Sequence, residues 1–114
     1  MQKIITEKIG NKVIILLQGD LDASDHRLIR RLQSPRQSVL EFSAWIDCSS
    51  IKCIKTNGLC HFISQLLVLK SYNVTITLLS LSEQQRKLLQ LFKLDTVFQM
   101  VPDFEDAYQL VQAS

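Results

Sequence analysis

A strand, a helix and a second strand follow one another between Ala44 and Leu79, and this succession constrains the fold more than any other feature of the chain. Ala44, Trp45 and Ile46 form a short apolar strand that ends in the polar turn Asp47-Cys48-Ser49-Ser50. A loop through Lys55-Thr56-Asn57-Gly58 leads into a helix. On it Leu59, Phe62, Ile63, Leu66 and Leu69 recur at the spacing that buries one stripe against a sheet. From Asn73 to Leu79 the period changes to two, with Val74, Ile76 and Leu78 on one side and Thr75, Thr77 and Leu79 on the other. Two strands joined through a helix pair in parallel, with a right-handed crossover. A βαβ unit is therefore predicted at the centre of the domain.

The outer side of that helix is unusual. Asn57, His61, Gln65 and Val68 stand one above another, Cys60, Ser64 and Leu67 lie beside them, and Lys70 is the helix's one full charge. A surface helix ordinarily turns charges to water. A neutral face either meets another molecule or lies partly beneath a neighbouring element.

Before this unit the chain predicts a hairpin, with runs Lys3 to Ile9 and Lys12 to Gln18 joined by Gly10-Asn11, a pair that supplies positive φ. The first run is mixed, as at a sheet edge. The second, Val13 to Leu17, is continuously apolar, as in a strand covered on both faces. After Gly19, a helix is expected over about Asp25 to Gln33, with Ser24 as its N-cap, Pro35 as its stop and Leu28, Ile29 and Leu32 inward. Arg27, Arg30 and Arg31, with Arg36 beyond, form either a docking patch for an acidic partner or a solvated face offsetting Asp20, Asp22 and Asp25. Asp20 and Asp22 form a D-x-D without a third ligand, a pattern commoner in turns than in cation sites. Residues 34–43 read as a connector or as the lead-in to the Ala44 strand.

Past the βαβ unit, Ser80 and Ser82 stand three residues before Glu83 and Gln85, the capping-box spacing, and open a helix to about Lys93 anchored by Leu88, Leu89, Leu91 and Phe92. A short strand over Thr96 to Met100 follows. Pro102-Asp103 then starts a last helix with Phe104, Ala107, Tyr108 and Val111 inward. The expectation is one compact α/β domain over residues 1–114, with a mixed central sheet, an N-terminal hairpin and about four helices.

Composition narrows the function classes. At 46% hydrophobic residues, 114 residues can bury a core without a metal or disulfide. A net charge of +2 is too small to make nucleic acid or an acidic membrane the main partner. Cys48, Cys53 and Cys60 are odd in number, make no C-x-x-C and fit reduced thiols in a cytoplasmic protein rather than a zinc site. The N-terminal residues lack a signal-peptide core, and no apolar run is long enough to span a membrane. There is no Gly-rich phosphate loop, G-x-S-x-G or H-E-x-x-H. Cys60 and His61 do not make a nucleophile and base, because neighbours on a helix point about 100° apart. The sequence thus reads as a non-enzymatic domain with no cofactor.

Three motifs, in order, resemble the STAS domain, the module of sulphate transporters and anti-sigma factor antagonists. They are Gln18-Gly19-Asp20-Leu21-Asp22 before a helix, Ile46-Asp47-Cys48-Ser49-Ser50-Ile51 leading to Thr56-Asn57-Gly58-Leu59, and Ser82 to Leu94 before a short strand. The resemblance covers nearly the whole chain. It implies a freestanding bacterial regulatory module that binds a protein, often an anti-sigma factor kinase that phosphorylates a Ser or Thr where the second helix begins. In this chain Asn57 stands at the family's phospho-serine, Thr56 precedes it, and Lys55 replaces the family's loop aspartate.

Two departures thus fall in one loop: Asn57 has no hydroxyl to phosphorylate, and Lys55 reverses a charge. Thr56 remains a candidate phosphorylation site, near unpaired N–H groups and the positive end of the helix dipole; alternatively Thr56 or Asn57 only caps the helix. The resemblance equally includes STAS subunits of ABC-type lipid transporters, which bind an ATPase and often carry Thr-Gly-Gly in this loop. A third possibility is a domain that binds an anion or small ligand there. In each protein-binding case the expected contact residues are Asp22, Lys55, Thr56, Asn57, Gly58, Cys60, His61 and Ser64, with Arg27 at the margin.

Overall fold

The computed structural model describes residues 2–19, 21–33, 41–49 and 56–113. Strands β1 (Lys3–Ile9) and β2 (Lys12–Gln18) form the hairpin, paired without interruption from Lys3↔Gln18 to Ile9↔Lys12. Gly10 takes φ +62° between them, and with no Cβ it does so without strain. Helix α1 (His26–Gln33), strand β3 (Glu41–Asp47), helix α2 (Thr56–Lys70) and strand β4 (Thr75–Leu79) follow. The chain continues with helix α3 (Glu83–Leu91), a 3₁₀ turn (Leu94–Thr96), strand β5 (Gln99–Val101) and helix α4 (Phe104–Ala113). The sheet order is β1-β2-β3-β4-β5, antiparallel at the hairpin and parallel thereafter. The mixed sheet and central βαβ unit are as expected.

Two apolar layers hold the sheet. On one face Ile15, Leu17, Ala44, Ile46, Ile76 and Leu78 meet Leu28 and Leu32 of α1, Phe62, Leu66 and Leu69 of α2, and Leu89 of α3. On the other face Ile14, Trp45 and Leu79 meet Ala107 of α4, with Phe104, Tyr108 and Val111 packed around them. Alternation along β2 explains its unbroken apolar run, since Ile14 and Ile15 are both buried but serve opposite layers. Trp45 meets the Tyr108 ring edge to face, centroids 5.1 Å apart.

Several expected boundaries move. The N-cap of α1 is Asp25 rather than Ser24: Asp25 Oδ1 accepts the Arg27 N–H at 2.9 Å, while Ser24 donates to Asp22. Strand β4 begins at Thr75, because Asn73 turns the chain at φ +61°. Helix α3 opens on the expected Ser82–Gln85 capping box but stops at Leu91, with Lys93 in the left-handed conformation. That early stop leaves Leu91 and Phe92 out of the core, 77% and 60% exposed, and Leu89 carries the buried contact. The strand expected over Thr96 to Met100 is instead a 3₁₀ turn followed by β5 two residues further along. Glu41, Phe42 and Ser43 belong to β3; the connector reading of residues 34–40 lies outside the described residues.

Candidate functional site

The candidate site lies where the loop after β2 meets the outward side of α2. Three links from neighbouring elements hold that loop. Gln2, buried, accepts the Asp22 N–H through Oε1 at 2.9 Å and donates through Nε2 to the Asp22 carbonyl at 3.0 Å. From the other side, Oε1 of Gln65 accepts the Ala23 N–H at 2.7 Å. Within the loop, Asp22 Oδ1 accepts from the Ser24 N–H at 2.9 Å and from its hydroxyl at 2.6 Å, the turn role foreseen for this aspartate. Asp22 itself remains exposed.

Arg27 is committed to structure. Its guanidinium donates to Asp25 Oδ2 and to the Gln2 carbonyl, both at 2.8 Å, and it holds the Asp25 carboxyl well below the usual carboxylate range. Arg27 thus clamps the N-terminal residues to the start of α1 while its side chain stays exposed.

On α2 the buried residues Phe62, Leu66 and Leu69 point to the sheet, and Cys60, His61, Ser64, Leu67 and Val68 are exposed. His61 stands one turn before Gln65, on the row that approaches the Asp22 loop; Cys60 and Ser64 form the next row. The neutral face is open rather than covered, because α4 packs on the opposite face of the sheet. Gln65 is the exception, half-buried against Ala23. Gly58 lies inside the first turn of α2 and is half-buried. Thr56 and Asn57 begin that helix, with side chains outside the described part; Lys55, Cys53 and Asp20 also lie outside the described residues.

At the carboxyl end of β3, Asp47 is buried. Burial pushes its carboxyl up, but the Ser49 hydroxyl at 2.6 Å, Gln18 Nε2 at 2.9 Å and the Ser49 N–H at 3.0 Å outweigh that and hold it below the usual range. Next to it Cys48 is buried, and its thiol is pushed up to about 12 by burial and by the Asp47 charge, so it is not a nucleophile. Among the described residues no group of three or more His, Cys, Asp or Glu side chains is placed to hold a metal, and no helix is long and apolar enough to cross a membrane. A cavity of about 280 Å³, lined in part by Ser43, Trp45, Thr75, Thr77 and Gln99, lies on the α4 face and takes no part in this site. Gln2 and Gln65 are the organising residues that sequence reasoning missed. Gln65 sat on the neutral row, but no periodicity marks a glutamine that bonds to a distant loop.

The architecture is that of solved STAS-type proteins. A crystal structure of a proposed anti-sigma factor antagonist from Thermotoga maritima superposes with a TM-score of 0.56 at 16% identity, over 96% of this chain and 94% of that one. An NMR structure of the same Thermotoga protein gives 0.55 at 16% identity, over 96% and 88%. An anti-sigma-factor antagonist (STAS) domain protein from Planctomyces limnophilus gives 0.56 at 14% identity, over 97% and 98%. No protein-family model and no curated protein matches the sequence. The chain thus shares the fold of these proteins, the fold that the resemblance implied.

Proposed function

We propose that this domain is a non-enzymatic regulatory module that binds a protein through the loop before α2 and the outward face of that helix. The observation that carries the reading is the open, uncharged surface of Cys60, His61, Ser64, Leu67 and Val68, beside an Asp22 loop fixed by Gln2 and Gln65. Burying neutral side chains and two exposed aliphatics against a partner carries little desolvation cost. The solved structures described as anti-sigma factor antagonists have this fold, which supports an anti-sigma factor kinase as the partner, met in a cytoplasmic setting. Lys55, Thr56, Asn57 and Gly58 complete the contact. Asn57 removes the customary serine hydroxyl, leaving Thr56 as the residue to be phosphorylated. The same absence favours a second reading, a subunit bound constitutively to a lipid-transporter ATPase.

Calorimetric titration against a purified anti-sigma kinase and a transport ATPase encoded beside this gene separates the two readings. Thr56→Glu and Asn57→Glu should abolish binding to the true partner while leaving the melting transition in place. Unchanged affinity in both variants would remove the loop from the interface. A phosphate titration followed by amide NMR shifts tests the anion reading; Trp45, buried against Tyr108 on the far face of the sheet, is no reporter for it.

A further inference from the structure

Strand β1 is one of the two edges of the sheet, the longer one, since the opposite edge β5 has three residues. The seven residues of β1 pair with β2 in unbroken register, and among the described residues no other strand lies beyond it. Ile9 and Lys12 flank a two-residue turn and so exchange hydrogen bonds; by alternation Glu7, Ile5 and Lys3 do the same with Ile14, Leu16 and Gln18. The backbone N–H and C=O groups of Ile4, Thr6 and Lys8 therefore point outward, along a strand with no bulge and no proline to blunt it.

We propose that this edge pairs with its own copy, two chains joining β1 to β1 antiparallel about a two-fold axis at Ile5 to make one continuous sheet. The charge pattern selects the occupant and the register. With the axis at Ile5, each Lys3 stands opposite the Glu7 of the other chain on the same sheet face, twice over by symmetry. Ile4 and Thr6 then meet across the interface with their outward backbone groups aligned, and the two Ile5 side chains, each 40% exposed, come together at the axis. Shifting the axis to Thr6 sets Lys3 against Ile9 and Glu7 against Ile5, so no charges are matched. Edge lysines ordinarily discourage pairing; here the arrangement sets Lys3 opposite an acid of a second copy, and no ion pair engages Lys3 among the described residues. Glu7 is already oriented on that face by the Tyr108 hydroxyl at 2.5 Å. This assembly is independent of the partner surface on α2.

Sedimentation equilibrium of the purified full chain tests the proposal, with circular dichroism confirming that each variant folds. Wild type should show a concentration-dependent monomer and dimer. Lys3→Glu and Glu7→Lys each place like charges opposite one another and should weaken association about tenfold, while the combined Lys3→Glu, Glu7→Lys chain restores it. Thr6→Pro, which deletes an outward N–H without touching the β1–β2 bonds, should abolish it. If Glu7→Lys loses folding with its Tyr108 bond, Lys3→Glu and Thr6→Pro decide the matter alone. A wild type monomeric at every concentration, single variants that associate normally, or a folded double variant no better than the singles would overturn the proposal.

Discussion

The Ala23 N–H and the Oε1 of Gln65 are joined at 2.7 Å across forty-two residues of chain. This bond lets α2 set the position of the loop that carries Asp22. Gln65→Ala leaves a part-buried N–H without its acceptor, at a cost of about 1 to 2 kcal/mol. Urea denaturation should show that loss, and hydrogen exchange should show faster exchange at Ala23 with β2 unaffected. An unchanged midpoint would mean that water replaces the glutamine.

Lys93 follows α3 at φ +58°, ψ +28°. A residue with a Cβ is strained in this region, where glycine is not. Lys93→Gly should therefore stabilise the domain by about 0.5 to 1 kcal/mol, seen as a higher melting temperature. A lower one would show that glycine's extra freedom in the unfolded chain outweighs the relief.

Asp47 predicts a pH dependence with a definite sign. Its folded carboxyl is held below the usual carboxylate range, because hydrogen bonds from Ser49 and Gln18 overcome burial. The ionised form thus stabilises the fold above the unfolded pKa, and that contribution disappears as pH falls through the folded value. Asp47→Asn should be about 1 to 2 kcal/mol less stable near neutrality, with the gap narrowing below about pH 4 in denaturant titrations at several pH values. A gap independent of pH would assign the effect to shape alone.

Cys48 and Cys60 should differ sharply toward thiol reagents. Cys48 is buried, with its thiol pushed up to about 12; Cys60 is exposed on α2. In a Cys53→Ser background, a native chain should release one equivalent of chromophore from Ellman's reagent promptly and a second only on unfolding. A bulky maleimide on Cys60 should leave the melting temperature unchanged and block the proposed partner. Normal binding by the modified protein would exclude this row from the contact.

Much of the architecture was legible because periodicity reports burial directly. The two-residue period of Val74, Ile76 and Leu78 and the helical spacing of Phe62, Leu66 and Leu69 each required one covered face, and those residues lie in the core. The Ser82–Gln85 box was legible for a similar reason, since both partners sit within one turn. The misjudged points depended on chain direction at element ends. Leu91 and Phe92 look like core residues by type, yet they fall where α3 stops and the chain turns at Lys93, so neither reaches the sheet.

The sequence by itself determined the element types, the parallel βαβ centre, the edge position of the first strand and an uncharged side on α2, because each follows from local spacing. Only the tertiary structure decided that this side is open to solvent, that Arg27 serves as a clamp, and that Gln2 and Gln65 fix the Asp22 loop. The open side follows from α4 packing on the opposite face of the sheet, and the other two rest on hydrogen bonds between residues twenty or more positions apart. Their formation depends on how the layers stack, and no local pattern of residues encodes that.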